Sequence, residues 1–457
     1  MKTFDAIIIG SGQAGSPLAE KFAAAGRSVA LIEKRFAGGT CVNDGCTPTK
    51  TMIAAARLSY LTRKAQAFGI PSDPSQVALA AVMQRKNEVV ESFRSGIERS
   101  LQKKENIELI YGTASFTGPG TVSVNGETLT AEHIFINTGA RPAIPDIPGL
   151  AATGYLTSTT ILDLEEIPAH LAILGSGYIA MELGQMFRRF GSRVTIIERG
   201  PSPLNKEDDD VAASVVKILE EENVTFLTNA AVNKVSRKLD GTTELTLMHN
   251  GGEKHITCSH LLVAAGRSPN TEALNLPAAG VKTGPGGYIE VNDRLETSSP
   301  GVYALGDVKG GPAFTHISYN DHLIVARNIL EHQALTITGR LTPYCMFTDP
   351  ELGRVGLTEK EALKQGFKIK VARLPLARVA RGIETGETRG LMKAVIDADS
   401  KQLLGAAILS VSGGEIMSVL QMAMMGRITY EQLRDNVFAH PTFSESLNNL
   451  FLSLNND

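Results

Sequence analysis

Cys41 and Cys46 stand in GGTCVNDGCTPTK with four residues between them, and Lys50 closes the same stretch. Two thiols at that spacing admit three kinds of chemistry: metal ligation, a structural crosslink, or a dithiol that carries electrons. Zinc needs three or four ligands, and no second Cys or His cluster pairs with these two. HITCSH does bring His255, Cys258 and His260 close in sequence, but in a strand pattern, and no metal site is expected there. Cys345, in PYCMFTDPE, reads as a buried small apolar residue. The pair itself reads best as a dithiol/disulfide couple at the start of a helix, with Pro48 in the first turn where its missing N–H costs nothing. A helix N-terminus lowers a thiol's pKa, so a thiolate persists at neutral pH. Thiol exchange also needs a proton carrier. His440 in FAHPTFSES is the candidate, with Glu445 to hold its imidazole in one orientation, although taken alone a histidine before proline in a loop reads as structural.

The elements that position these groups come as one unit used twice. Phe4 to Ile9 is a short strand of the buried type, ending in GSGQAG with Gly10, Gly12 and Gly15. A helix follows to about Ala25, and a second strand, SVALIE, closes on Glu33. LAILGSGYIA repeats the frame with Gly175, Gly177 and Ala180, followed by a helix to about Phe190 and a strand, RVTIIE, ending at Glu198. Each carboxylate follows its first glycine by 23 residues. The first glycine allows a tight turn, the second admits a pyrophosphate, and the third small residue lets helix and strand pack closely. The carboxylate suits a ribose 2′-hydroxyl. Two dinucleotides are expected.

Between the repeats, Val90, Phe93, Ile97 and Leu101 follow helical spacing and predict an amphipathic packing helix. Proline and glycine near 145–149 predict a crossover between domains. HLLVAAGRSPNT echoes FINTGARPAIP, and Asp307 lies just past a strand in TSSPGVYALGDV. From about Arg340 onward, alternating β segments and helices predict a third, α+β unit.

The chain has 457 residues, long enough for about three domains, with 43% hydrophobic residues and a net charge of −3. Both charge signs are interspersed, so no face suited to nucleic acid is expected. Four scattered cysteines do not make a disulfide-stapled secreted scaffold. With no leader and no apolar run of membrane-spanning length, a soluble cytoplasmic protein without membrane partners is expected, in surroundings where close thiols are reactive rather than structural.

Taken in order, GSGQAG, GGTCVNDGCTPTK, NTGARP, GSGYIAMELG, AAGRSPN, ALGDV and AHPTFSES make the sequence resemble the flavin-dependent pyridine nucleotide–disulfide oxidoreductases over nearly its whole length. Within that family it is most similar to the mercuric-reductase-like and reactive-chlorine-resistance flavoproteins. The resemblance implies an α/β fold with two Rossmann-like domains, for FAD (1–150 and 271–338) and NAD(P) (151–270), and a C-terminal α+β dimerisation domain (339–457). It places Gly10, Gly12, Gly15 and Glu33 at FAD, with Gly39, Thr40, Ala114, Thr138, Gly139 and Ala313. Asp307 matches the aspartate at the ribityl chain. Gly175, Gly177, Ile179, Glu198, Arg199, Gly266 and Arg267 fall to the nicotinamide cofactor, with Tyr178 as the flap over its pocket. Lys50 and Glu182 match the ion pair near the reactive flavin nitrogen, where a lysine charge stabilises an anionic reduced flavin. Cys46 becomes the charge-transfer thiol and Cys41 the interchange thiol. His440 would reach the cysteines of a second subunit, so a homodimer with two composite sites is implied.

Two departures bear on the acceptor. Mercuric reductases typically carry an extra C-terminal cysteine pair and often an N-terminal metal-binding domain, which are not expected from this sequence, so efficient handling of mercury is not expected either. Asp44 stands between the cysteines where relatives carry an apolar or neutral residue, and reads as a solvated loop residue, with a role in receiving a cation as the alternative. Glu198 favours a free 2′-hydroxyl and hence NADH, while Arg199 beside it suits NADPH. The expected activity is electron transfer from NAD(P)H through FAD and the dithiol to a small-molecule or metal-ion substrate, Cu(II), Hg(II) or a disulfide such as lipoamide. A flavoprotein that binds or signals with only slow oxidase turnover is the competing expectation.

Overall fold

The apolar run that opens the sequence becomes β1 (Lys2–Ile9), with its last four residues buried. In this computed structural model, which describes residues 1–72 and 76–455, α1 (Gly15–Ala24) and β2 (Val29–Glu33) follow directly. The cysteine stretch folds as a five-residue helix, α2 (Gly39–Asn43), then a turn and α3 (Cys46–Lys64). The amphipathic α4 (Leu79–Gln102) packs on α3. Val90 and Leu101 of its predicted stripe are buried, whereas Phe93 is exposed. Phe93 lies about 60° around the helix from Val90, at the margin of the stripe.

Strands β3 (Ile107–Tyr111), β4 (Ser115–Gly118), β5 (Thr121–Val124) and β6 (Glu127–Ile136) complete the first sheet in the order β3-β2-β1-β6-β5-β4. β1 runs parallel to both neighbours, with Ile7 opposite Ala30 and Ile134. After β7 (Ala140–Pro142) the chain crosses over at Gly149, before α5 (Leu150–Thr153). There φ is +83° and a Cβ would lie 2.0 Å from the Val235 carbonyl oxygen, so only glycine fits.

The second unit repeats the first: β8 (His170–Leu174), α6 (Tyr178–Phe190), β9 (Arg193–Ile197), α7 (Asp209–Glu221) and β10 (Val224–Leu227). An antiparallel meander, β11 (Ala230–Arg237), β12 (Thr243–His249) and β13 (Gly252–Cys258), leads to β14 (His260–Val263), which joins β8 in a parallel sheet ordered β10-β9-β8-β14. β15 (Arg267–Pro269) pairs with β7. β16 (Val302–Ala304) then returns to pair with β6, and α8 (Thr315–Leu330) packs on α1. The first sheet is therefore built from two separated stretches of chain.

The last part is β17 (Tyr344–Met346), β18 (Glu351–Gly356), α9 (Glu359–Lys364), β19 (Ile369–Pro375), α10 (Ala380–Glu384), β20 (Leu391–Asp397) and β21 (Leu403–Ser410), then α11 (Gly413–Met425), α12 (Tyr430–Arg434) and α13 (Ser446–Leu452). Its five strands form an antiparallel sheet ordered β17-β18-β21-β20-β19. The expected α/β class with a C-terminal α+β unit is what the chain adopts.

Two buried ion clusters join these layers. Arg189 on α6 bonds Glu222 and Asp349, each at 2.7 Å, with its guanidinium 3.9 Å above the Tyr60 ring. Lys393 on β20 is 1% exposed and meets Asp208, Asp210 and Glu359 at 3.0, 2.8 and 2.8 Å. HITCSH does not gather: Cys258 is in the core, while His255 is exposed and pairs with Glu253. Among the described residues no group of three or more His, Cys, Asp or Glu is arranged to hold a metal ion. No described helix is long and apolar enough to cross a membrane.

Candidate active site

Cys41 lies within α2 and Cys46 is the first residue of α3, so the turn between the helices fixes their separation. Gly45 makes that turn possible, since a Cβ there would lie 2.8 Å from the Thr40 carbonyl oxygen. Both thiols are free. Cys46 Sγ lies 3.4 Å from Thr315 Oγ1, at the start of α8. The Cys46 thiol is pulled down to about 6 by the hydrogen bond from Cys41, helped by the Thr315 hydroxyl and the Lys50 charge, against burial and Glu182. Cys41 is pushed far above the usual thiol range because it donates to Cys46 and is partly buried. The pair thus holds one proton at neutral pH, on Cys41.

Lys50 Nζ lies 2.5 Å from Glu182 Oε2, joining the cysteine helix to α6 of the second unit. Glu182 is buried and its Oε1 accepts from the Phe347 N–H at 2.8 Å, which also fixes β17's end. Two expectations need correction. Asp44 is not a free solvated residue: it is ion-paired with Arg35 and its side chain is 19% exposed. Cys345, expected to be buried, is half-buried on β17, its thiol pushed up mainly by burial.

A cavity of about 560 Å³ opens beside the cysteines. It is lined by Gly10, Gly12, Glu33, Gly39, Thr40, Lys50, Ala114, Thr138, Gly139, Asp307 and Ala313, among others. Gly15 does not line it. A Cβ on Gly15 would lie 1.9 Å from the Gly10 carbonyl oxygen, so this residue serves the packing of helix on strand. Gly10 has φ of +105°, and a Cβ there would lie 2.3 Å from the Asn137 carbonyl oxygen. FAD fits this wall on three counts. The glycine cradle brings bare backbone to the N-terminus of α1. Arg267 Nε is buried without a partner. Asp307, 3.4 Å from Arg267, is an acceptor pushed up by burial and suited to hydroxyl donors.

A second cavity, of about 1320 Å³, is lined by Gly175, Gly177, Tyr178, Ile179, Glu198, Arg199, Gly266 and Arg267. Tyr178, Ile179, Arg267 and Ala313 line both cavities, so the two spaces meet at the N-terminus of α6. The Tyr178 hydroxyl is pushed up to about 12 by burial. Its ring faces Phe314 at 6.0 Å, and Phe314 is stacked between His316 and Tyr344 at 5.4 and 5.3 Å.

Sequence reading passed over several of these positions. Ser11 donates to Glu33 Oε2 through N and Oγ at 3.0 and 2.7 Å. Ser176 donates to Glu198 Oε2 in the same way through Oγ. The signal was present, since both repeats read GSG. Thr315, Phe314 and Tyr344 carried no such signal.

His440 and Glu445 line neither cavity. The Glu445 oxygens lie 3.0 and 2.9 Å from His440 Nδ1, which leaves Nε2 as the free ring nitrogen. The His440 side chain is 69% exposed. Within one chain the base-and-orienter pair is assembled but presented outward.

Comparison with known proteins agrees with this geometry. Residues 4–321 match the pyridine nucleotide-disulphide oxidoreductase model, and residues 342–451 match the dimerisation domain of the same family. The chain is similar to a mercuric reductase from Staphylococcus aureus, 37% identical over 99% of this chain and 83% of that protein. It is also similar to the probable pyridine nucleotide-disulfide oxidoreductase RclA of Escherichia coli K12, 38% identical over 99% of both chains. A dihydrolipoyl dehydrogenase from Thermus scotoductus is 37% identical over 98% of this chain and 96% of its own. A solved Cu(II) complex of the HOCl-induced flavoprotein disulfide reductase RclA from Escherichia coli superposes with a TM-score of 0.89, covering 98% of this chain and 99% of that one. With two cavities that meet at the N-terminus of α6, one of them lined by the CxxxxC thiols, and with these matches along nearly its full length, the chain belongs to the pyridine nucleotide-disulphide oxidoreductase family and is an NAD(P)H-dependent flavin oxidoreductase.

Proposed function

We propose that the protein takes electrons from NADH and delivers them through Cys41 and Cys46 to a thiol-reactive metal ion, Cu(II) or Hg(II), with low-molecular-weight disulfides as the competing acceptors. The observation that carries this reading is the placement of the thiols: Cys46 opens α3 with its Sγ 3.4 Å from Thr315 Oγ1 and is pulled toward the thiolate, while Cys41 beside it is pushed the other way. Gly10, Gly12, Gly39 and Asp307 would hold FAD, which when bound would supply two-electron transfer between the nicotinamide and sulfur. Tyr178, at the junction of the cavities, screens the nicotinamide side from water. Lys50, fixed by Glu182, places a positive charge where negative charge gathers.

Oxidation of the pair, one thiolate and one thiol, releases two electrons and one proton: the electrons reduce two Cu(II) to Cu(I) or one Hg(II) to Hg(0), and with one further proton from solvent they cleave one disulfide to two thiols. Cys41 needs a base before it can attack an acceptor, and within its own chain its hydrogen-bond partner is the Cys46 thiolate. The His440–Glu445 pair of a second subunit fills that role in a composite site, since its free Nε2 is presented outward and the C-terminal unit matches a dimerisation domain. The relatives support metal ions and disulfides alike: some are mercuric reductases, one solved relative is a Cu(II) complex, and another is a dihydrolipoyl dehydrogenase. NADH is preferred over NADPH because the Glu198 carboxylate lines the second cavity and would face a 2′-phosphate with like charge.

The deciding measurement is a steady-state panel with NADH and NADPH against Cu(II), Hg(II), lipoamide and glutathione disulfide. The expected result is NADH-driven reduction of a metal ion that disappears in Cys41→Ser. Lipoamide turnover faster than both metals by orders of magnitude would overturn the metal assignment. Substrate reduction untouched in Cys41→Ser would overturn the dithiol mechanism, and no acceptor reduced beyond slow oxidase turnover would leave the binding or signalling reading.

A further inference from the structure

Asp44 is the one charged residue between the two cysteines, and a support is built around it. Its backbone N–H donates to the Thr40 carbonyl at 2.9 Å, closing α2, and its carboxylate is paired with the Arg35 guanidinium. Arg35 belongs to the loop after β2, where its own N–H donates to Glu33 Oε1 at 2.8 Å. Glu33 Oε2 accepts from Ser11 on the glycine turn. A continuous series of polar contacts therefore runs from that turn through Glu33 and Arg35 to the turn between the cysteines.

The next residue back is fixed as well. Asn43 accepts from Arg94 Nε at 2.7 Å and donates to the Ala37 and Gly39 carbonyls, each at 2.9 Å. Both guanidiniums lie over the Phe36 ring, Arg94 at 4.1 Å and Arg35 at 5.3 Å. Lys86 on α4 also feels the Asp44 charge. An unpaired carboxylate two residues from Cys46 opposes a thiolate there, and a bare guanidinium favours one.

We propose that Arg35 and Asp44 form a positioning pair for the redox dithiol: the guanidinium cancels the carboxylate's field at Cys46 and ties the turn between the cysteines to the ribose-side carboxylate Glu33. This rests on the dithiol reading above. The groups acting on Cys46 are Lys50 on its own helix α3, Cys41 on α2, Thr315 on α8 and Glu182 on α6, and substitution at 35 or 44 removes none of them.

The test is iodoacetamide alkylation of Cys46 in the reduced, FAD-loaded protein across pH, with each cysteine resolved by fragment mass spectrometry. Arg35→Met bares the carboxylate, and the alkylation midpoint is expected to rise by about half a pH unit, roughly a threefold slower reaction below the midpoint. Asp44→Asn bares the guanidinium, and the midpoint falls by a similar amount. The double variant returns to the parent value, and Arg35→Lys stays near it. Arg35→Gln and Asp44→Ser serve as second members of each class, so one substitution that fails to fold does not remove the test. A purely structural tie would move both single variants in the same direction. That result, or no shift in either, overturns the proposal. If Cys46 of the parent shows no thiolate-type pH dependence, the dithiol reading falls first and takes this pair with it.

Discussion

Lys50 and Glu182 lie 132 residues apart in sequence and meet at 2.5 Å, tying the cysteine helix α3 to the helix that opens the second cavity. The carboxylate also holds the Phe347 N–H at 2.8 Å, so one buried group orients a lysine and a strand end together. Lys50 is among the causes that lower the Cys46 thiol, and Glu182 opposes it. Lys50→Met is therefore expected to raise the Cys46 midpoint from about 6 by about one pH unit, and Glu182→Gln to lower it. The sign follows from charge: the thiolate is populated above its pKa, so removing a cation moves its onset to higher pH. Alkylation rate against pH reads this directly, and a downward shift in Lys50→Met contradicts it.

The outward-facing His440 predicts a split between half-reactions. His440→Gln leaves the two cavities of its own chain intact, so reduction of bound FAD by NADH in stopped flow should keep its rate. Steady-state turnover with an acceptor should fall by about a hundredfold, the scale of a lost general base. Glu445→Gln keeps the imidazole but loosens its orientation, so the loss is smaller, about tenfold. Equal losses in both half-reactions would place His440 outside proton transfer. Mixing His440→Gln with Cys41→Ser subunits checks the composite site, since heterodimers should recover one active centre.

How far the sequence discloses this site depends on whether a residue's constraint is local. Gly10 and Gly175 are readable because a positive φ and a carbonyl at 2.3 or 2.5 Å from the missing Cβ leave no other choice. Lys50, Glu182 and His440 are readable only through the family resemblance, since nothing in their spacing announces a contact. Asp44 reads as solvated in sequence because its partner Arg35, nine residues earlier, is brought near only by the two positive-φ glycines at the turn Gly38–Gly39. Phe314 and Tyr344 were passed over for the same reason: each is one aromatic residue in a loop or short strand until the two units close on one another. Phe93 was over-read, as the margin of an apolar stripe and its centre look alike at helical spacing.

Two glycines with positive φ separate strain from collision. Gly26 has φ of +75° and nothing within 4 Å of an added Cβ. Gly10, at +105°, would drive a Cβ to within 2.3 Å of the Asn137 carbonyl oxygen. Gly26→Ala is expected to cost about 1 kcal/mol of stability and to leave flavin content unchanged. Gly10→Ala must displace the turn that lines the first cavity, so purified protein should hold at least tenfold less FAD per chain by absorbance. Gly175→Ala, with its Cβ 2.5 Å from the Ala264 carbonyl oxygen, should keep FAD and instead raise KM for NADH. Loss of FAD from Gly175→Ala would contradict the assignment of one dinucleotide to each repeat.

The buried cluster around Lys393 decides whether the second unit and the C-terminal sheet act as one body. Lys393 meets three carboxylates at 3.0 Å or less, two of them at the start of α7 and one on α9. Replacing the cation by Met leaves Asp208, nearly as buried, with the Glu359 and Lys360 N–H groups but no countercharge, and breaking a buried ion pair from one side costs about 3 kcal/mol. The exposed pair Lys401–Glu431 is the matched control, with side chains 49% and 37% exposed, and Lys401→Met should leave the unfolding midpoint unchanged. Calorimetry of the FAD-loaded protein distinguishes the two. Were Lys393→Met as stable as the parent, the cluster would be replaceable by apolar packing, and the join between the units would rest on Arg189 with Glu222 and Asp349 instead.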